Sequence, residues 1–233
     1  MEEVDVVIQD ANVLIDTAKK HPAGEGTDGI NADATQGLID AHDDMIVKNT
    51  AQVKAVKALN TLTEAQETTL ASGLALIRKV QNAGKSVYGE KNKPMMKLLD
   101  VGGDAPTSVK KMTTKLSYMK AVTADKLADL KKGGVKDSDL AQFDTIAAEL
   151  TDNDVNQEEA KKAKKAATLV RDEALDTLKK AVRKVRNNAK SVFADNASVL
   201  IEFEPVTIGR GSAKAVNDKK AKGAASPAET AKK

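Results

Sequence analysis

Arg78-Lys79-Val80-Gln81-Asn82-Ala83-Gly84-Lys85-Ser86-Val87-Tyr88 and Arg183-Lys184-Val185-Arg186-Asn187-Asn188-Ala189-Lys190-Ser191-Val192-Phe193 are two versions of one segment, 105 residues apart. Seven of the eleven positions are identical, and Tyr88 against Phe193 is conservative. The same offset runs without a gap back to Thr63 and Thr168. Carried forward, it pairs Met95 with Leu200, Met96 with Ile201 and Leu98 with Phe203. Self-similarity at a fixed period marks a duplicated supersecondary unit. The chain therefore reads as a tandem duplication of a short-helix/long-helix unit, with repeats over 1–105 and 106–209. The two are expected to pack as one elongated four-helix bundle.

Outward from that segment, an apolar stripe steps four and three residues alternately: Leu38, His42, Met45, Asn49, Gln52, Val56, Leu59, Thr63, Gln66, Leu70, Gly73, Ile77, Val80, Gly84, Val87. A sustained 3.5-residue period belongs to a long helix packed in a left-handed bundle or coiled coil. Possible caps at Thr63–Gln66 and Asp154–Gln157 fall at different places in the two repeats, whereas duplicated units should break at the same place. The stripe thus predicts two long helices of roughly 55 residues, each about 80 Å long. A turn near Asp152-Asn153 is the competing reading. A shorter helix precedes each: roughly 3–20, ended by His21-Pro22-Ala23-Gly24, and roughly 107–132, begun by Pro106 and Thr107 and ended by Gly133-Gly134. After each long helix the chain turns at Gly89 or Ala194 into a short apolar segment, Pro94–Leu99 or Ala197–Phe203. Small residues at 84 and 189 suit close helix approach.

Composition agrees with an all-α fold. Hydrophobic residues make up 41% of the 233, but aromatics only 2%, with no Trp. Small aliphatic cores suit packed helices, whereas sheets favour aromatic and β-branched residues. There is no cysteine, which excludes disulfides, thiolate metal sites and cysteine nucleophiles. The acidic start Met1-Glu2-Glu3-Val4-Asp5 lacks the apolar core of a secretory signal. No run approaches the 18 or so apolar residues of a membrane span, and a cytoplasmic location is the expectation.

The net charge of +3 is unevenly placed. Arg210, Lys214, Lys219, Lys220, Lys222, Lys232 and Lys233, against Asp218 and Glu229, give residues 210–233 a charge of +5, leaving about −2 for the rest. This Lys/Ala tail reads as disordered and is a possible polyanion contact; without an aromatic it offers no base stacking. Acidic Asp33, Asp40, Asp43 and Asp44 begin the first long helix, and basic Lys179, Lys180, Arg183, Lys184, Arg186 and Lys190 end the second. Antiparallel packing would bring these groups together.

Several motifs tempt. Gly24-Glu25-Gly26-Thr27-Asp28-Gly29 spells a dinucleotide-binding fingerprint, but it follows a helix, and its acids would repel phosphate. Gly84-Lys85-Ser86 lacks the glycine a phosphate loop needs five residues earlier, where Lys79 stands. Asp152-Asn153-Asp154 begins like a calcium loop, but Gln157 and Ala163 occupy the glycine and glutamate positions. Asn196 is more simply a cap than a glycosylation site, and His21 and His42 have no second ligand at helical spacing. No catalytic, cofactor or metal site is expected. The remaining candidate is a polar seam, Asn49, Gln52, Thr63 and Gln66 with their counterparts Asp154, Gln157, Thr168 and Arg171. Buried polar residues of this kind fix register, or line a cavity for a small ligand.

The repeated Arg-x-x-x-Asn-x-x-Lys-Ser-Val-[Tyr/Phe] element, the short apolar helix after it and the Lys/Ala tail resemble uncharacterised bacterial helical-bundle proteins. The resemblance covers mainly residues 120–233 and implies neither a function nor a site. The functional expectation is a non-enzymatic structural or adaptor protein, a scaffold in a larger assembly, with a protein partner or self-association. A nucleic-acid-associated protein using its tail and a helical ligand carrier are the alternatives.

Overall fold

The computed structural model describes residues 3–24 and 28–205. Among them there are seven α-helices and no strand: α1 Glu3–Lys20, α2 Ala32–Tyr88, α3 Lys93–Leu98, α4 Val109–Asp125, α5 Leu127–Leu130, α6 Asp137–Val192 and α7 Ala197–Glu202, with a 3₁₀ turn at Lys131–Gly133. The tail cations from Arg210 to Lys233 lie outside the described residues, as do Glu25, Gly26 and Thr27 of the glycine-rich connector. The two long helices are continuous, at 57 and 56 residues; α6 passes through Asp152-Asn153 without a turn. Asn31 caps α2 by accepting the Asp33 amide at 2.7 Å. Gly89, at φ +76°, ends it in the left-handed conformation that glycine adopts without cost.

The packing units are not the sequence repeats. One compact unit comprises residues up to 48 and from 171 on, and the other comprises 49–170. Each therefore takes the beginning of one repeat and the end of the other.

In the first unit, α1 contributes Val4, Ala11, Leu14, Ile15 and Ala18; α2 contributes Ala34, Leu38, Ala41 and Met45; and α6 contributes Ala174, Leu175, Leu178, Val182, Val185 and Ala189. Phe193 and Phe203 close the core. Lys179 reaches Glu3 at 2.7 Å, and Arg186 reaches Asp10 at 2.6 Å. Lys179 and Arg186 of α6 thus find acids on α1, which runs parallel to α6, and not at the expected acidic start of α2. Arg186 also donates from Nε to the Phe203 carbonyl at 2.9 Å, holding the end of α7.

In the second unit, α4 contributes Met112, Leu116, Met119 and Val122; α2 contributes Leu76, Ile77, Val80 and Ala83; and α6 contributes Phe143 and Leu150. Leu99 and Leu130 complete the core. The expected helix over 107–132 is broken. Ser108 caps it, accepting the Lys111 amide, and Lys126, at φ −107° and ψ 15°, interrupts it. The break turns Leu127 and Leu130 onto the core. It also brings Gly133 so close to α2 that a Cβ there would lie 2.7 Å from the Ala83 carbonyl oxygen. Gly84 likewise leaves room for a side chain, that of Leu99, with Leu130 of α5 close by.

Burial recurs at the 105-residue offset. Ala11 and Leu116, Leu14 and Met119, Ile30 and Val135, Leu38 and Phe143, Met45 and Leu150, and Val80 and Val185 are all buried. After the long helices the offset becomes 104, which corrects the forward pairing of Met95 with Leu200. Asn92 and Asn196 both cap the short helices, and Leu99 and Phe203 both end them. From Phe193 to the cap Asn196 the chain is one residue shorter than from Tyr88 to Asn92. Gln81 and Arg186, at equivalent positions, both donate to that final carbonyl, Gln81 at 3.2 Å.

Candidate functional site: an open helix pair

The apolar stripe does not lead to uniform burial. In α2 no residue from 46 to 68 is buried. In α6 only Gln157 is buried between 151 and 173. These stretches correspond at the 105-residue offset. Helix length explains them: α1 and α4, at 18 and 17 residues, span about 27 Å each and cannot cover long helices of about 85 Å.

Within the second unit, the open part is a two-helix pair, residues 49–68 with 151–170. Three contacts fix its register. Asn153 donates to the Thr69 hydroxyl at 3.2 Å, Gln66 donates to Asp154 at 3.3 Å, and Gln157 donates to the Thr63 hydroxyl at 3.2 Å. Descending numbers on α2 meet ascending numbers on α6, so the helices are antiparallel. The structure thus brings together four of the eight seam residues, as two pairs. Thr63 and Thr69 pass their own protons back to the carbonyls of Leu59 and Ala65, so each hydroxyl both donates and accepts. Thr168 turns to its own helix, donating to the Lys164 carbonyl at 2.9 Å. Arg171 turns to Asp172 at 2.7 Å. Asn49 and Gln52 are half-buried on α2, whereas Asp154 is exposed. Of the eight, Gln157 is the one buried member.

Beyond Gln157 the pair carries an open groove of about 360 Å³, lined by Leu59, Lys161, Lys164, Lys165, Thr168 and Leu169. Continuing the register places Lys54 and Lys57 level with Lys161, Lys162, Lys164 and Lys165. On the other side of the groove, Glu64 and Glu67 lie level with Asp152, Asp154, Glu158 and Glu159. Like charges therefore lie level on the two helices, in a basic band beside an acidic one. Among the described residues, the sole ion pair formed by these twelve groups is Lys161–Glu158, at 2.7 Å along α6. Its hydrogen bond and the lysine charge hold the Glu158 carboxyl below its ordinary range. Exposed apolar side chains accompany the bands: Val53, Val155 at 55% exposure, Leu169 at 57%, and Val170.

Three features elsewhere escaped sequence reasoning. Asp139 is buried, its carboxylate 2.7 Å from the Lys79 ammonium and accepting the Lys136 amide at 2.8 Å, which caps α6. Desolvation pushes its pKa up, but the bonds from Lys79 and Lys136 outweigh that and hold it below the ordinary carboxylate value. The run Lys136-Asp137-Ser138-Asp139 after two glycines was the available signal. In the first unit, His21 lies 5.7 Å from the Phe193 ring and 5.9 Å from that of Phe203, with Nε2 3.2 Å from Glu202. His42 is buried; its Nδ1 meets Asp43 at 3.1 Å, and its Nε2 has no hydrogen-bond partner among the described residues.

Among the described residues no three of His, Asp and Glu converge where they could hold a metal ion, and no helix is long and apolar enough to cross a membrane. In comparisons with known proteins, the chain matches no family model, no curated protein and no solved structure.

Proposed function

We propose that this protein is a non-enzymatic structural or adaptor protein, a duplicated helical scaffold whose open helix pair is a contact surface for another protein. The single observation that carries the reading is the stretch of α2 and α6 where no apolar residue is buried, while Val53, Val155, Leu169 and Val170 stand exposed. A two-helix segment with polar seam contacts gains little stability from its own packing, since most helix stability comes from burying an amphipathic face. Exposed apolar groups rimmed by charge are a common feature of protein-binding surfaces. The recurrence of buried residues 105 apart supports the duplication, with repeats over 1–105 and 106–209. A cytoplasmic place of action goes with this reading.

The basic band at Lys54, Lys57 and Lys161–Lys165 favours one alternative, a nucleic acid held by its phosphates, which would bind with steep salt dependence. Capture from native lysate separates the two. The intact chain is compared with Leu169→Glu, with and without nuclease. A discrete protein recovered by the intact chain and lost with Leu169→Glu is the expected result. Recovery that nuclease abolishes would transfer the reading to nucleic-acid association.

A further inference from the structure

The two units repeat one pattern of burial but carry opposite surface charge. α4 has Lys110, Lys111, Lys115 and Lys120 against Asp125, whereas α1 has Glu3, Asp5, Asp10 and Asp16 against Lys19 and Lys20. The short helices differ in the same sense. Residues 90–100, about α3, hold Lys91, Lys93 and Lys97 against Glu90 and Asp100. Their equivalents 194–204, about α7, hold Asp195, Glu202 and Glu204 and no base. Formal charge is thus +4 for α3 with α4, and −5 for α7 with α1. Lys110 stands where Asp5 does in the other unit, Lys115 where Asp10 does, and Lys91 where Asp195 does. Each short helix adjoins its longer neighbour. Tyr118 of α4 donates to the Leu98 carbonyl at 2.8 Å, and Lys115 pairs with Asp100; His21, at the end of α1, meets Glu202 at 3.2 Å. Internal partners answer Glu3, Asp10 and Lys120, through Lys179, Arg186 and Asp144. Lys91, Lys93, Lys97, Lys110 and Lys111 are exposed and form no ion pair among the described residues. The same holds for Asp5, Asp16, Asp195 and Glu204. Against the trend stand Lys19 and Lys20 at the end of α1, and Asp104 in the connector before α4.

We propose that the basic α3–α4 face of one copy docks on the acidic α1–α7 face of a second copy of this chain. Charge complementarity selects this occupant. Every copy carries both faces, on equivalent elements of its two units, so a second copy supplies the sign that each face lacks. A polyanion would use the lysines and leave the acids without a role. The two joined surfaces differ, which makes the interface heterologous. Each added copy then leaves one face of each sign free, and association continues into open chains or closes into a ring. These faces lie on other helices than the open pair, so the inference goes beyond the adaptor reading and does not depend on it. The charge pairs are exposed, so each contributes little and salt weakens them all.

The test is sedimentation of the full chain over a range of concentrations and salt. The intact chain should grow past the dimer as concentration rises and return towards monomer in added salt. Two triple variants neutralise one face each: Lys97→Gln, Lys110→Gln and Lys111→Gln on the basic side; Asp5→Asn, Asp16→Asn and Glu204→Gln on the acidic side. Each alone should associate about tenfold more weakly, since three exposed pairs are lost. Mixed in equal amounts, the two variants share one intact pairing of faces. They should form one-to-one dimers and nothing larger. The changed residues are exposed, and equal helicity by circular dichroism verifies the fold. An intact chain that stays monomeric, association indifferent to both variants, or a dimer that never grows would each overturn the inference. So would a monomer that binds duplex DNA and loses it in the lysine variant alone, which would assign the basic face to a polyanion.

Discussion

The two ends of the second unit use the same helices to opposite effect. At one end, α2 from Leu76 to Ala83 and α6 from Phe143 to Leu150 are covered by α4, and Ile77, Val80, Phe143 and Leu150 of the stripe are buried. At the other, the same stripe continues through Leu59, Thr63 and Gln66, and these residues are half-buried against one another alone. A hydrophobic period therefore specifies which face of a helix looks inward, but not how many neighbours will cover it. Coverage depends on the length of the third helix, and α4 stops too soon.

The largest expected effect breaks the covered end. Leu116 is fully buried between α2 and α6, so Leu116→Ala should cost about 2–5 kcal/mol of unfolding free energy in denaturant titration. Leu169→Ala, on the open pair, should cost no more than about 0.5 kcal/mol. Comparable losses at the two sites would erase the distinction. Next comes the close approach at Gly133. A methyl group there would meet the backbone of Ala83, and Gly133→Ala should destabilise by about 1–3 kcal/mol through forced repacking, read as a lowered denaturation midpoint.

A smaller, pH-dependent effect sharpens the comparison. Asp139 belongs to the covered end, and its folded pKa is lowered. A lowered carboxylate contributes stability that is present above its unfolded value, near 3.8, and is lost as pH falls through the folded value. Lys79 is about half exposed, so the gain is modest. Asp139→Asn should be less stable than the intact chain at pH 6, and the gap should close as pH drops below about 4. A gap independent of pH would mean that Asp139 acts by shape alone.

Much of the fold was legible in the sequence because its signals were long. The 3.5-residue stripe gave the two continuous helices, and the His21–Gly24 stop marked the end of α1. The break at Lys126 was not legible: it follows from Leu127 and Leu130 turning to a core that only the tertiary packing defines. The open pair was legible in principle. Polar Asn49, Gln52, Thr63 and Gln66 occupy stripe positions where a covered helix would carry Leu or Ile, and the short helices were visibly too short. The cross-helix partners were not legible, since the pairing of Gln157 with Thr63 depends on an antiparallel register that no local pattern encodes. The Asp139–Lys79 pair was hidden for the same reason.

The most direct test of the central claim is residue-resolved hydrogen exchange along α2 and α6 in dilute protein. Amides at 52–66 and 155–168 should exchange at least about tenfold faster than those at 76–86 and 143–150, because a helix pair without buried apolar packing opens locally at low cost. Uniform protection along both helices would contradict the account, since it would mean that the open pair is as firmly held as the covered end.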